Sequence, residues 1–372
     1  MAQIILQNVD IMRIRFRSIF MHIQKLPELK MNIDKEEIMK TAQVHDENIV
    51  IKEMEDIKLE NRKGAIVQVL GCGLCGSDIV KFKHKIVHNG AVLGHEIVAK
   101  ILEINSDTQF KIGDKIVTSH HIPCGECKYC KHGNVSMCEH FKKTNIIPGG
   151  FSEKVFVSEE HLQNVAYLVP DNMTNEEISF YEPLGCCIRA IKRCELKVGD
   201  SVLVVGLGSI GLLMGEGLKA FGYKVFGCDL IENRIELANS RGIKAFNSRN
   251  LDEFENIIKN NTEGFGVDAV FMTSGADKAI DVALKAVRQG GKILVFSSTP
   301  LNNGYPNNEI YYKELTVMGS YSPSPADLKD SYNLLISGRV NVKDLTTVYP
   351  LDKIQAAFDD TISNKIFKAY IK

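Results

Sequence analysis

What the sequence has little of is net charge: 45 basic side chains face 46 acidic ones over 372 residues. A chain so balanced offers no positive field for nucleic acid or for an anionic membrane surface, and neither is expected as a partner. It also lacks a membrane-length apolar run. The uncharged stretch SVLVVGLGSIGLLMG, residues 201–215, is interrupted by four glycines and falls short of the roughly 20 residues a spanning helix needs. It reads instead as buried strand, loop and helix start. No internal repeat and no low-complexity segment is present. A secretory cleavage pattern is missing too, and the ten cysteines are bunched at two-residue gaps instead of being spaced as a disulfide framework. Reduced thiols and bound metal in a cytoplasmic setting are the expectation.

The remaining composition, 44% hydrophobic and 24% charged, is that of a globular protein long enough for two domains. Residues 1–38 stand apart. IMRIRFRSIFMHIQKL is basic and alternating, with no acidic residue between Asp10 and Glu28, yet it is not serine-rich and has no small-residue cleavage site. This segment is read as an extension without catalytic role, ahead of an alternative start at Met39.

Residues 39–183 read as short strands and turns: GAIVQVLG, HEIVAKILEI, DKIVTSH and, beyond a Pro-Gly-Gly turn, FSEKVFVS. Near the end of this β-rich module Thr174 and Glu177 have capping-box spacing, which predicts a helix start. Pro183 is expected to break or kink that helix and to push Glu182 out of the α region. Residues 184–320 then alternate strand and helix: SVLVVG, KVFGCD, VDAVFMTS and GKILVFSS are separated by helical segments, the last of them predicted to run to a cap at Gly290. Such alternation predicts an α/β fold with a doubly wound parallel sheet.

Within VVGLGSIGLL, Gly206, Gly208 and Gly211 have G-x-G-x-x-G spacing between a strand and a helix, with Ser209 and Ile210 opening the helix. The first glycine suits a tight turn, the second lets backbone amides approach a pyrophosphate, and the third lets helix and strand pack closely. Asp229 closes the next strand, 18 residues past Gly211. Its carboxylate can accept hydrogen bonds from ribose hydroxyls and repels a 2′-phosphate, so NAD is expected over NADP. Arg234 could offset that repulsion, although an exposed helix salt bridge is its plainer role.

CGECKYCKHGNVSMC places Cys124, Cys127, Cys130 and Cys138 in one short loop with C-x2-C-x2-C-x7-C spacing. Four thiolates can close a tetrahedral zinc site that has no open position, which is a structural zinc. A nucleic-acid-reading zinc ribbon would bring a basic face, and nearby Lys128, Lys131, Lys142 and Lys143 give only modest support for one. Cys75, His95, Glu96 and Glu182 are also metal-binding residue types, but they are scattered, and spacing alone does not join them. Cys72 and Cys75 have the spacing of a redox pair. That reading asks for a helix N-terminus near a βαβ unit, and this pair lies in a β module.

Taken in order, GCGLCGSDI, LGHE, the four-cysteine loop, PGGFSEKVFV, EPLGC, LKVGDSVLVVGLGSIG and GGKILVF resemble the zinc-dependent medium-chain dehydrogenase family. EPLGCC and GSYSPSPADL are similar to its polyol, sorbitol and cyclitol branches. The resemblance runs from about Met39 to the C-terminus. It implies a GroES-like β-rich catalytic domain (39–183, with 321–372 returning to it) and a Rossmann NAD-binding domain (184–320). It also implies two zinc ions per chain, a small alcohol or polyol substrate in the cleft, and a homodimer or homotetramer.

Carried over by position, the resemblance implies a catalytic zinc held by Cys75 and His95, with Glu182 and Glu96 as carboxylate ligands, directly or through water. Ser77 would hydrogen-bond the reacting oxygen. The relay histidine many relatives carry three residues further on is Val80 here, which leaves water near Glu96 or His84 to take the proton, with water preferred. KFKHK could meet an anionic substrate, but a solvated basic face is its plainer reading. His120 and His121 could line the cleft or be merely structural. Two rival functions remain: oxidation of a threonine-like 3-hydroxy amino acid, and a non-catalytic, regulatory zinc protein that retains the fold.

Overall fold

Two large β-sheets organise the described residues, one mostly antiparallel and one wholly parallel, beside a small two-stranded sheet. The structure, a computed structural model, describes residues 37–297 and 306–372. The basic N-terminal segment therefore lies outside the described residues, apart from its last two. From Met39 to Lys372 the chain is one compact unit.

The first sheet has seven strands. Gly64–Gly73 and Glu96–Asn105 form its centre, paired antiparallel, and Lys115–Thr118 and Ala166–Leu168 extend it on one side. These strands bury Ala65, Val67, Ile97, Ala99, Ile101 and Ile116 in one core with Phe151 and Phe358. The two central strands are ten residues long and place β-branched Val67, Ile97 and Ile101 at buried positions, as a half-buried pleated surface favours. The C-terminal strand Lys368–Ile371 pairs antiparallel with the end of Gly64–Gly73, setting Tyr370 opposite Gly73 and Ile371 opposite Cys72. The last residues of the chain are thus threaded beside the Cys72–Cys75 segment.

The second sheet has six parallel strands: Lys244–Asn247, Lys224–Asp229, Ser201–Val205, Val267–Met272, Val287–Val295 and Thr316–Gly319, in that spatial order. In chain order this is 3-2-1-4-5-6, the doubly wound arrangement whose switch point lies at the carboxyl end of the first strand. Val202 and Val204 face one buried layer and Leu203 and Val205 the other, so this strand is apolar on both sides.

Two expectations about helix ends are corrected. The capping box forms at Thr174 as predicted, but its helix ends at Ile178. A new helix, Tyr181–Arg193, then contains both Glu182 and Pro183. Proline is tolerated there because the first turn of a helix has no N–H partner to lose, so Glu182 keeps helical geometry. The second correction concerns Gly290. The helix Ala279–Ala286 stops three residues before the expected Gln289, and Val287–Val295 is strand, with Gly290 at φ +66 inside it. Alignment with the neighbouring strands from Lys292 onward outweighs the helical pattern of the preceding residues.

Candidate active site

Cys75, two residues past the central strand, caps the helix Gly76–Lys83: its sulfur accepts the Ser77 N–H at 3.4 Å, and its own N–H donates to Asp78 Oδ2 at 3.2 Å. The Cys-x-x-Cys pair therefore does reach a helix N-terminus, contrary to expectation. Cys72 is still no redox partner. It is fully buried in the strand, and burial pushes its thiol well above the ordinary range.

Asp78, which no sequence motif marked as functional, organises the site. Its Oδ1 accepts the Gly94 N–H at 3.4 Å and faces His95 Nδ1 at 3.4 Å. This fixes the ring and leaves Nε2 as the nitrogen free for a metal. Burial alone would push the His95 imidazole down, but Asp78 and Cys75 raise it well above its usual value. The surroundings favour positive charge at this point.

The donor atoms of Cys75, His95 and Glu96 lie within 4.8 Å of one another, and so do those of His95, His120 and Glu182. Both sets share His95, so the four ligands expected from sequence gather around one imidazole. Glu182 is buried, which raises its carboxyl, and accepts a hydrogen bond from Cys186 at 3.6 Å. Its helix is held from behind by Ser331, whose hydroxyl donates to the Tyr181 carbonyl at 2.6 Å.

Glu96 has a second partner that the sequence could not reveal. Lys368, from the C-terminal strand, places Nζ 2.5 Å from Glu96 Oε2, with both side chains buried. Burial would depress this ammonium, but Glu96 and Cys75 keep it above its ordinary value. The contact is an ion pair without hydrogen-bond alignment. Gly73 makes the approach possible, since a Cβ there would lie 2.0 Å from Glu96 Oε2.

Ser77 is exposed in the first turn of the helix, and Val80 is 38% exposed one turn on. His84 lies at the helix C-cap, exposed. Within KFKHK, Lys85 pairs with Glu47 at 3.2 Å, whereas Lys81 lines a cavity of about 380 Å³ together with His95 and His120. His121 is structural: its Nδ1 donates to the Thr144 carbonyl at 2.5 Å.

In the cysteine lobe, Sγ–Sγ separations are 3.5 Å for Cys127–Cys130 and Cys124–Cys138, and 4.0 Å for Cys124–Cys130. Four sulfurs about 2.3 Å from one zinc would stand about 3.8 Å apart, so the lobe fits the ion. Arg189 ties it to the Glu182 helix by donating to the Gly133 carbonyl at 2.8 Å.

At the first parallel strand, Gly206 turns at φ +93, and a Cβ on Gly211 would lie 1.8 Å from its carbonyl oxygen. Gly208 caps the helix Ser209–Ala220, with only Arg234 near its missing Cβ, at 3.9 Å. The helix amides of this turn, which includes Ser209 and Ile210, have room for a phosphate. Asp229 accepts N–H bonds from Leu207 and Leu230 at 2.7 Å and from Ile231 at 3.0 Å. Arg234 is not the exposed salt bridge of the plainer reading. Its side chain is 15% exposed, 3.6 Å from Asp229, and it donates to Asn364 at 2.9 Å. Neutralisation by Asp229 explains why the guanidinium can pack inward.

Residues 61–168 match the alcohol dehydrogenase GroES-like domain and residues 209–337 the zinc-binding dehydrogenase domain. Over 359 residues the chain is 30% identical to a probable D-xylulose reductase A of Neosartorya fischeri, covering 89% of this chain and 98% of that one. The chain belongs to the zinc-dependent medium-chain dehydrogenase family. The sorbitol dehydrogenase of Bacillus subtilis is also 30% identical, over 88% of this chain and 94% of its own. The crystal structure of 2R,3R-butanediol dehydrogenase from Bacillus subtilis superposes with a TM-score of 0.77 at 25% identity, covering 90% and 99% of the two chains. This family member is accordingly an alcohol and polyol dehydrogenase with a GroES-like and a Rossmann-type domain, zinc, and a nicotinamide cofactor.

Proposed function

We propose that this dehydrogenase oxidises a secondary hydroxyl of a sugar alcohol or cyclitol with NAD, using Cys75, His95 and Glu182 as the protein ligands of the catalytic zinc. The observation that carries this reading is the convergence of two donor sets on His95. Glu96 is better suited to the outer side, because Lys368 already neutralises it. Zinc at this position supplies Lewis acidity, which lowers the pKa of a bound hydroxyl.

The chain's own residues do the rest. Asp78 holds the His95 ring through Nδ1, Cys186 steadies Glu182, and the exposed Ser77 hydroxyl passes the substrate proton to water, Val80 being unable to relay it. The Gly206–Gly211 turn takes the pyrophosphate, and Asp229 the ribose hydroxyls, which favours NAD over its 2′-phosphorylated form. The Cys124–Cys138 lobe holds the structural zinc. The catalytic domain is assigned to 39–183 with 321–372, and the cofactor domain to 184–320. The return of Lys368–Ile371 to the first sheet supports this division.

Thr316–Gly319 is an edge strand with Val317 exposed, and this supports association into a homodimer or homotetramer. None of the ten cysteines is in a disulfide, in keeping with a cytoplasmic setting.

The test is an NAD-reduction screen over xylitol, sorbitol, inositols, threonine and short alcohols, with zinc counted per chain. Polyol turnover, abolished by Cys75→Ser together with one of two zinc ions, is the expected result. Turnover of threonine alone would move the assignment to hydroxy amino acids. Bound NAD with no turnover at full zinc occupancy would identify a regulatory protein.

A further inference from the structure

Among the described residues, His120 is the histidine beside the metal-binding cluster that has no clear structural task. Its ring is clamped between His95, at 4.4 Å between centroids, and His121, at 3.9 Å. The backbone is clamped as well, since the buried His161 donates from Nε2 to the His120 carbonyl at 3.0 Å. The side chain is half-buried, yet Nδ1 is wholly enclosed and has no hydrogen-bond partner among the described residues. Nε2 is not enclosed in this way and makes no hydrogen bond among the described residues, so it is the ring nitrogen left to meet a ligand in the cavity. Its donor atom lies within 4.8 Å of those of His95 and Glu182, and its ring also lines the 380 Å³ cavity with Lys81 and Asn145.

We propose that His120 hydrogen-bonds the hydroxyl adjacent to the one being oxidised, making this a dehydrogenase selective for vicinal diols and longer polyols over isolated secondary alcohols. The inference rests on the dehydrogenase reading above. Because the His120 donor atom lies within 4.8 Å of those of His95 and Glu182, a hydroxyl oxygen held by that pair would bring its vicinal neighbour within hydrogen-bond reach of the His120 ring. A simple alcohol puts a methylene there and leaves the imidazole nitrogen unpaired. Discrimination then comes from the unpaired polar group as much as from the missing contact.

The experiment compares the wild-type holoenzyme with His120→Phe and His120→Asn. Two readouts are used: the ratio of kcat/KM for 2,3-butanediol to that for 2-butanol, and xylitol binding to the enzyme–NADH complex, followed by NADH fluorescence. His120→Phe is expected to cut the selectivity ratio by about 10–100-fold, mainly through KM, and to weaken xylitol binding by a similar factor. His120→Asn, which restores a polar atom, should recover part of both. An unchanged ratio with normal wild-type turnover overturns the role of His120 and leaves the dehydrogenase assignment standing. Loss of one zinc in His120→Phe also overturns it, because His120 would then be a metal ligand. A wild-type enzyme that oxidises no alcohol defeats both readings.

Discussion

Asp78→Asn removes one charge at nearly constant volume and tests how far the site depends on a residue that touches no substrate. The carboxylate is fully buried and meets three groups: the Cys75 N–H at 3.2 Å, the Gly94 N–H at 3.4 Å and His95 Nδ1 at 3.4 Å. An amide has only one acceptor oxygen. If that oxygen takes the Oδ1 position, the NH2 group opposes the Cys75 N–H; if it takes the Oδ2 position, the NH2 opposes Gly94 and His95. Either way at least one buried donor is unpaired, at a cost of about 1–3 kcal/mol. The imidazole also loses the acceptor that fixes its tautomer, and such partners are worth about 10–100-fold in metal affinity. Chelator competition should therefore show the catalytic zinc bound about 10–100-fold more weakly, with the cysteine-lobe zinc unaffected and the metal-free chain less stable to urea. Zinc affinity within twofold of wild type would refute the reasoning, since it would mean that Asp78 only caps its helix.

Three further outcomes are expected. Gly211→Ala forces a Cβ to 1.8 Å from the Gly206 carbonyl, an overpacking of about 1–3 kcal/mol, and NADH fluorescence titration should show affinity lowered about tenfold with zinc content intact. Cys127→Ser breaks the four-sulfur cage, so one zinc per chain should be missing by elemental analysis and the melting temperature should fall by several degrees, because a structural zinc contributes directly to folding. Asp268 accepts from Arg288 Nε at 2.7 Å and from the Ser201 N–H and hydroxyl at 2.8 Å. Partial burial pushes its carboxyl up, but the Arg288 and Ser201 donors hold it below the usual range. Its stabilisation is thus present at neutral pH and lost as pH falls through the folded value, so the gap in unfolding free energy between wild type and Asp268→Asn should narrow below about pH 4.

The sequence carried the fold and the cofactor turn because both depend on local rules. Strand-helix alternation, a G-x-G-x-x-G at a strand end and an acidic residue closing the next strand all lie within a few dozen residues, and each has a distinct backbone reason. The four cysteines were legible for the same reason, since one short loop supplies every ligand. Helix ends were less legible. Pro183 sat inside a helix because the break fell at Ser179–Phe180, and the Gly290 segment became strand because neighbouring strands pulled it into register.

The catalytic centre is the part only the tertiary structure decided. Cys75, His95 and Glu182 come from a helix cap, a loop and a second helix more than 100 residues apart in sequence at their extremes. Nothing in their spacing fixes a common point in space. Lys368 reaches Glu96 only because the last strand returns to the first sheet, and Asp78 became a ring-positioning group only when His95 packed beside it. Composition and periodicity determine which surfaces are buried and hence the two sheets. Long-range pairing determines which donors then face one another, and the chemistry of this chain resides in that second step.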